Sequence, residues 1–161
     1  MDLLKKKYLD QLYDNRIMET DEEFALFENA LDGLISTITL NDIPDLYKAF
    51  DDKTRENEVM FRLVHVVEQF DEQDSMDLTI QGMLESIDSA ENWMKILIRR
   101  ILNSDKSKEQ FGLSIKNLDS VSIIKLQNLL QEIKHENPEW FSSIVEETPN
   151  GRISLCRKNH I

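Results

Sequence analysis

Hydrophobic residues recur at three- and four-residue steps along most of this chain, which predicts a succession of amphipathic helices. Residues 3–17 place Leu4, Tyr8, Leu12 and Tyr13 on one stripe that ends near Asn15. Thr20-Asp21-Glu22-Glu23 has the form of a capping box, with the Thr20 hydroxyl accepting from the first turn and Glu23 reaching back. Its three acids also suit the positive end of a helix dipole. Phe24, Phe27, Leu31, Leu34 and Ile35 continue that helix to about Thr37. A short helix from Asn41 or Asp42 follows, with Pro44 tolerated in its first turn and Leu46 and Phe50 as its apolar residues.

A fourth helix is predicted from about Glu56 to Phe70, with Val59, Leu63, Val66, Val67 and Phe70 as a buried stripe that Met60 and Val64 widen. At 100° per residue, Glu58, Phe61, His65 and Glu68 fall on the opposite side. Asp71 to Asp74 form an acidic loop, and a fifth helix covers about 76–87. Ser89 is placed to cap a sixth, whose broad apolar face holds Trp93, Met94, Leu97, Ile98 and Ile101, while Lys95, Arg99 and Arg100 lie off it. Residues 104–110 are a polar break before a weak helix around Phe111 to Lys116. Asp119 or Ser120 starts a strong helix to about His135, aligning Leu126, Leu129, Leu130 and Ile133.

Two readings fit the last stretch. Asn137-Pro138-Glu139-Trp140 can open a short helix, and Phe141–Glu147 with Arg152–Arg157 can form a hairpin through Pro149-Asn150-Gly151. The hairpin is the preferred reading. Helix starts near 21, 42, 56, 76 and 90 give hairpin units of about 34–35 residues, the spacing of helical-repeat stacks, without a repeated signature. The expected fold is therefore all-α, an irregular HEAT-like stack of αα-hairpins, with a helical bundle as the alternative and a small C-terminal β-hairpin. Residues 1–161 are read as a single domain, with 137–161 as a C-terminal extension.

Composition narrows the class. The 161 residues hold four glycines, three prolines and one cysteine, Cys156. That excludes a turn-rich sandwich, a glycine-loop nucleotide fold, an internal disulfide and a Cys-rich zinc site. No apolar run approaches a membrane span, and Met1-Asp2-Leu3-Leu4-Lys5-Lys6-Lys7 lacks the stretch of a secretory signal, so a cytoplasmic protein is expected. The net charge of −12 is uneven. Residues 19–91 carry 20 acids against Lys48, Lys53, Arg55 and Arg62, whereas residues 92–161 carry 8 acids against 11 bases. Such a field repels nucleic acid and anionic membrane and attracts basic proteins.

Catalytic signatures are missing. There is no phosphate-binding glycine loop, no Gly-x-Ser-x-Gly elbow, and no motif around Cys156. Glu58, His65 and Glu68 are the most metal-like set, but the order is His-x-x-Glu and occurs once, which fits a surface His–Glu hydrogen bond better than a di-iron site. No cofactor is expected, and no enzyme. Phe61 has two readings. It fills a second core face of a stacked helix, or it is an aromatic anchor ringed by acids that suits a basic partner. The candidate partner-binding residues are Asp51, Asp52, Glu56, Glu58, Phe61, His65, Glu68, Asp71, Glu72, Asp74 and Asp77, two acidic clusters about 20 Å apart along one helix.

The stretch from Phe50-Asp51-Asp52-Lys53-Thr54-Arg55-Glu56 through Asn57-Glu58-Val59-Met60-Phe61-Arg62-Leu63-Val64-His65-Val66-Val67-Glu68 resembles the central segment of the immunity protein 30 family of bacterial polymorphic-toxin systems. Glu91-Asn92-Trp93-Met94-Lys95-Ile96-Leu97-Ile98-Arg99-Arg100-Ile101-Leu102-Asn103 resembles the helix that follows it, and the segment around Phe24 to Leu34 fits the family's start. The likeness covers about residues 20–135. It implies a small helical cytoplasmic protein that binds and neutralises a cognate toxin domain, often a nuclease, with Asp51, Asp52, Glu58, His65, Glu68, Trp93 and Asn103 as family-like positions. The alternative from a different class is a helical-repeat adaptor that docks a basic host protein.

Overall fold

Eight helices run through the described residues of this computed structural model, which are 2–70, 75–147 and 153–155. They are α1 (Leu3–Asp14), α2 (Asp21–Leu34), α3 (Ile43–Tyr47), α4 (Asn57–Glu68), α5 (Met76–Leu102), α6 (Asp105–Ile115), α7 (Ser120–Glu136) and α8 (Pro138–Ile144). Two short strands, β1 (Val145–Glu147) and β2 (Ile153–Leu155), pair antiparallel with Glu146 opposite Ser154. The fold is an all-α stack of helices, as the periodicity implies. Contacts divide the chain into Met1–Met94 and Lys95–Ile161.

In the first unit, α1 and α2 form a hairpin. The Gln11 amide donates to the Leu26 carbonyl at 2.7 Å, and the Tyr8 ring lies where a Cβ on Gly33 would stand, so the close approach requires glycine there. The predicted stripe on α1 is rotated. Leu9 and Leu12 are buried, whereas Leu4 and Tyr13 are exposed. Part of the inner face belongs instead to Lys5, whose ammonium reaches the buried Asp42 carboxylate at 2.9 Å. Periodicity counts apolar residues only, and an inward polar pair is invisible to it. Thr20 caps α2 as expected, accepting from the Glu23 N–H at 3.1 Å, while Glu23 reaches the N–H of Glu19 rather than that of Thr20.

The tilted rings of Tyr47, Phe50 and Trp93 follow one another at 5.8 and 5.9 Å in the core of this unit, where Phe27, Leu31, Leu46, Met60 and Leu63 are also buried. A Cβ on Gly82 would lie 2.8 Å from the Cβ of Tyr47, so α5 approaches α3 closely there. The two helices predicted at 76–87 and from about 90 are both present within α5, separated at Ala90, whose backbone is not helical (φ −140°, ψ 38°). Ser89 does not cap the second half. That role falls to Asp52, from 40 positions upstream.

In the second unit, α6 starts at Asp105, six residues before the expected weak helix, with the Ser104 hydroxyl accepting from Ser107. Its inner face pairs Phe111 with buried Ser107 and Lys108, so polar side chains hide the stripe. Leu126, Leu129, Leu130 and Ile133 of α7 are buried as predicted. The C-terminal stretch realises the helix and a shortened hairpin, since Phe141–Ile144, expected in the first strand, belong to α8. Asn137 caps α8, and β1 and β2 follow. The Pro149-Asn150-Gly151 turn and Cys156 lie outside the described residues.

Candidate functional site

Helix α4 buries Val59, Met60, Leu63, Val64, Val66 and Val67 and turns Glu58, Phe61 and His65 outward. The polar side of its 3.6-residue pattern is therefore the exposed side, as the sequence requires. Phe61 is 37% exposed and stands edge-on to Trp93, with ring centroids 5.2 Å apart and planes at 73°. Trp93 itself is 5% exposed. One edge of the Phe61 ring is thus held by the core and the other faces out. The imidazole Nδ1 of His65 lies 3.6 Å from the Glu68 carboxylate one turn on, a loose pair on the same face.

The two acids before α4 have different surroundings. Asp51 is only 4% exposed, and its carboxylate accepts from Arg16 Nε at 3.1 Å and from the Lys53 N–H at 2.9 Å. As a surface acid it is a correction, since it ties the α1–α2 connection to the segment before α4. Asp52 is exposed but engaged. Its carboxylate accepts from the N–H groups of Asn92 at 3.0 Å and Trp93 at 3.3 Å, and its own N–H donates to the Ser89 carbonyl at 2.9 Å. The bend at Ala90 leaves helical N–H groups without their usual partners, and an upstream carboxylate supplies the missing acceptor. Glu56 and Glu58 are exposed, and neither has a cation partner among the described residues. Asp77, in the first turn of α5, is also exposed. Asp71, Glu72 and Asp74 lie outside the described residues.

The cations of this region are mostly engaged internally. Arg62 bridges α4 to α2 through Asp32 at 2.6 Å and Glu28 at 3.2 Å, and these contacts, Asp32 foremost, raise its already high pKa. Lys48 reaches Asp45 and Glu85, and Arg55 lies 3.8 Å from Glu19. Glu28 and Asp32 are the α2 partners of Arg62, a pairing across two helices that the sequence reading missed. Their i,i+4 spacing on the outer side of α2 was the available signal.

In the second unit Glu132 and Glu136 are occupied. Burial alone would lower the pKa of Lys95, but the carboxylates of Glu136 and Glu132 hold it above the ordinary lysine range. Glu136 is held low by Lys95 and also by Arg99. Asn103 accepts from the Trp140 indole N–H at 3.3 Å. Among the described residues no three His, Cys, Asp or Glu side chains are grouped to hold a metal ion, and no helix is long and apolar enough to cross a membrane.

The α4 face thus offers hydrogen-bond acceptors, negative charge and one aromatic edge, which suits binding more than bond-breaking chemistry. Comparison with curated proteins and with solved structures returned no match. A family match does exist, over residues 14–111, which takes in α2 to α5 and the first part of α6, as far as Phe111. With that stretch covering well over half of its residues, the chain belongs to the immunity protein 30 family.

Proposed function

We propose that this immunity protein captures a basic nuclease toxin in the cytoplasm through the acidic surface of residues 19–91, with the outward face of α4 at its centre. Membership of the family already implies binding to a cognate toxin. The observation that carries the finer reading is the charge imbalance at α4. Of the four cations in residues 19–91, Lys48, Arg55 and Arg62 are engaged by carboxylates and Lys53 is exposed, while Glu56 and Glu58 stand exposed and unpaired before and at the start of α4. A nuclease must present a basic cleft to phosphate, and an acidic surface fills that cleft or its rim by charge complementarity. Long-range attraction speeds capture beyond the ~10⁵–10⁶ M⁻¹s⁻¹ of a neutral pair. An exposed aromatic at the centre supplies the desolvated contact that slows release.

The test is co-expression with the product of the gene directly upstream, scoring survival and co-purification. Protection by the wild type that Glu56→Lys/Glu58→Lys weakens supports the reading. Survival no better than with the toxin alone overturns it and favours an adaptor for a basic host protein.

A further inference from the structure

The outer side of α1 and the neighbouring α2 enclose an open groove of about 490 Å³. Leu3, Lys6, Lys7, Asp10 and Asp14 line it along α1, and Leu26 lines it from α2. Leu3 is 84% exposed and Leu26 is also open to solvent. The charges run in order, cations toward the N-terminal end of the helix and carboxylates toward the C-terminal end. That order opposes the helix dipole, which favours acids in the first turn and bases in the last, and α1 has neither. Within the chain only Lys6 and Asp10 meet, at 3.4 Å on a highly exposed surface, while Lys7 and Asp14 pair with no other described residue. The stability of the isolated helix therefore does not explain this arrangement.

We propose that the α1–α2 groove receives α1 of a second copy of this chain, antiparallel, in a two-fold symmetric dimer. A two-fold axis near the middle of the helix, about 18 Å long, brings Lys6 and Lys7 of each copy within one turn of Asp10 and Asp14 of the other. Parallel packing would set like charges side by side. The antiparallel pair also opposes the two dipoles and covers Leu3 and Leu26. Elsewhere in residues 19–91 the acidic excess repels a second copy, whereas residues 1–18 hold three acids against Lys5, Lys6, Lys7 and Arg16, so this is where two copies can approach. The contact is small, which places it among weak, micromolar associations. It lies mostly outside the stretch that matches the family and does not rest on the toxin reading.

Sedimentation velocity at about 0.15 M salt tests it on four samples: the wild type, Lys6→Glu/Lys7→Glu, Asp10→Lys/Asp14→Lys, and an equimolar mixture of the two variants. Each reversal breaks the exposed Lys6–Asp10 pair and sets like charges four residues apart, losses of a few tenths of a kcal/mol that the dipole partly offsets, so each variant should stay folded and melt within about 3 °C of the wild type. The wild type should dimerise, each variant alone should associate at least about tenfold more weakly, and the mixture should recover a dimer through swapped pairs. A wild type that stays monomeric to about 0.5 mM overturns the proposal. So does a dimer that both reversals leave intact, or a mixture that fails to reassociate. Reversals that weaken toxin capture while the wild type is monomeric assign the groove to the toxin and overturn it too.

Discussion

Asp52→Ala removes the acceptor that closes the bend in α5. Two N–H groups, of Asn92 and Trp93, lose the carboxylate that accepts from them at 3.0 and 3.3 Å. Losing an N-terminal cap costs about 1 kcal/mol, and a charged acceptor serving two donors about 2 kcal/mol, moderated because Asp52 is exposed and water can replace it. For a chain of this length, about 2 kcal/mol lowers Tm by roughly 4–8 °C. Thermal and urea melts of wild type, Asp52→Ala and Asp52→Asn measure it, and Asp52→Asn, which keeps one acceptor oxygen, should fall between. Amide exchange at Asn92 and Trp93 should accelerate in Asp52→Ala before that of core amides in α4. A Tm within about 1 °C of wild type would refute the cap. Because Asp52 is also a proposed contact, toxin capture by these variants has to be compared well below their melting temperatures.

Leu63→Asp places an unpaired charge on the fully buried stripe of α4 and should prevent folding, seen as loss of helical circular dichroism. Burial alone would raise the pKa of Asp42, but Lys5 and the N–H and hydroxyl of Thr39 hold it below the ordinary carboxylate range. The stability it contributes is therefore present above the unfolded value of about 3.9 and is lost as pH falls through the lower folded value. Asp42→Asn should cost about 2 kcal/mol at pH 7 and flatten the acid limb of a urea-midpoint profile, and an unchanged limb would count against the pairing. Phe61→Ala should weaken toxin binding by about 2 kcal/mol and, because it also removes the edge contact to Trp93, lower Tm by a few degrees. A large Tm loss with unchanged affinity makes Phe61 a core residue only. Glu56→Lys/Glu58→Lys should slow association in stopped flow, and the slowing should shrink with salt, whereas Glu109→Lys on α6 should not slow it. Equal slowing by both would detach the effect from α4.

The helices legible in the sequence are those whose inner faces are wholly apolar. Helix α7 shows its four buried residues at the expected steps, and α4 its stripe. Helices α1 and α6 were misread because part of each inner face is polar, with Lys5 turned to Asp42 in one and Ser107 and Lys108 buried beside Phe111 in the other. The break at Ala90 was legible as a boundary between two helices, but its cap was assigned to Ser89, which looks like a local cap. The acceptor is non-local, and a one-dimensional pattern carries no sign of a carboxylate 40 residues away. Family-like segments located the fold's central stretch without separating residues that hold it from residues that face outward.

Charge counting has the same blind spot in another form. Twenty acids against four bases in residues 19–91 states the sign of the field and not where its sources sit. The fold removes Asp51 from the surface by burial against Arg16 and commits Asp52 to α5. It also spends Glu28 and Asp32 on Arg62, and Asp45 and Glu85 on Lys48. These contacts take up three cations with five carboxylates, so they leave the sign of the field unchanged and confine its unpaired sources to fewer sites. At a Debye length near 8 Å, an approaching basic surface senses local clusters rather than the whole-chain charge. Glu56 and Glu58, beside an aromatic edge anchored on buried Trp93, form such a cluster on a rigid helix. Residues 92–161 illustrate the converse, since Glu132 and Glu136 are held by Lys95 and Arg99 and offer a partner little free charge. Reversing these glutamates would break that network, and the resulting loss of stability would mimic a loss of binding. For that reason the control belongs on exposed Glu109, where charge changes sign and packing stays intact.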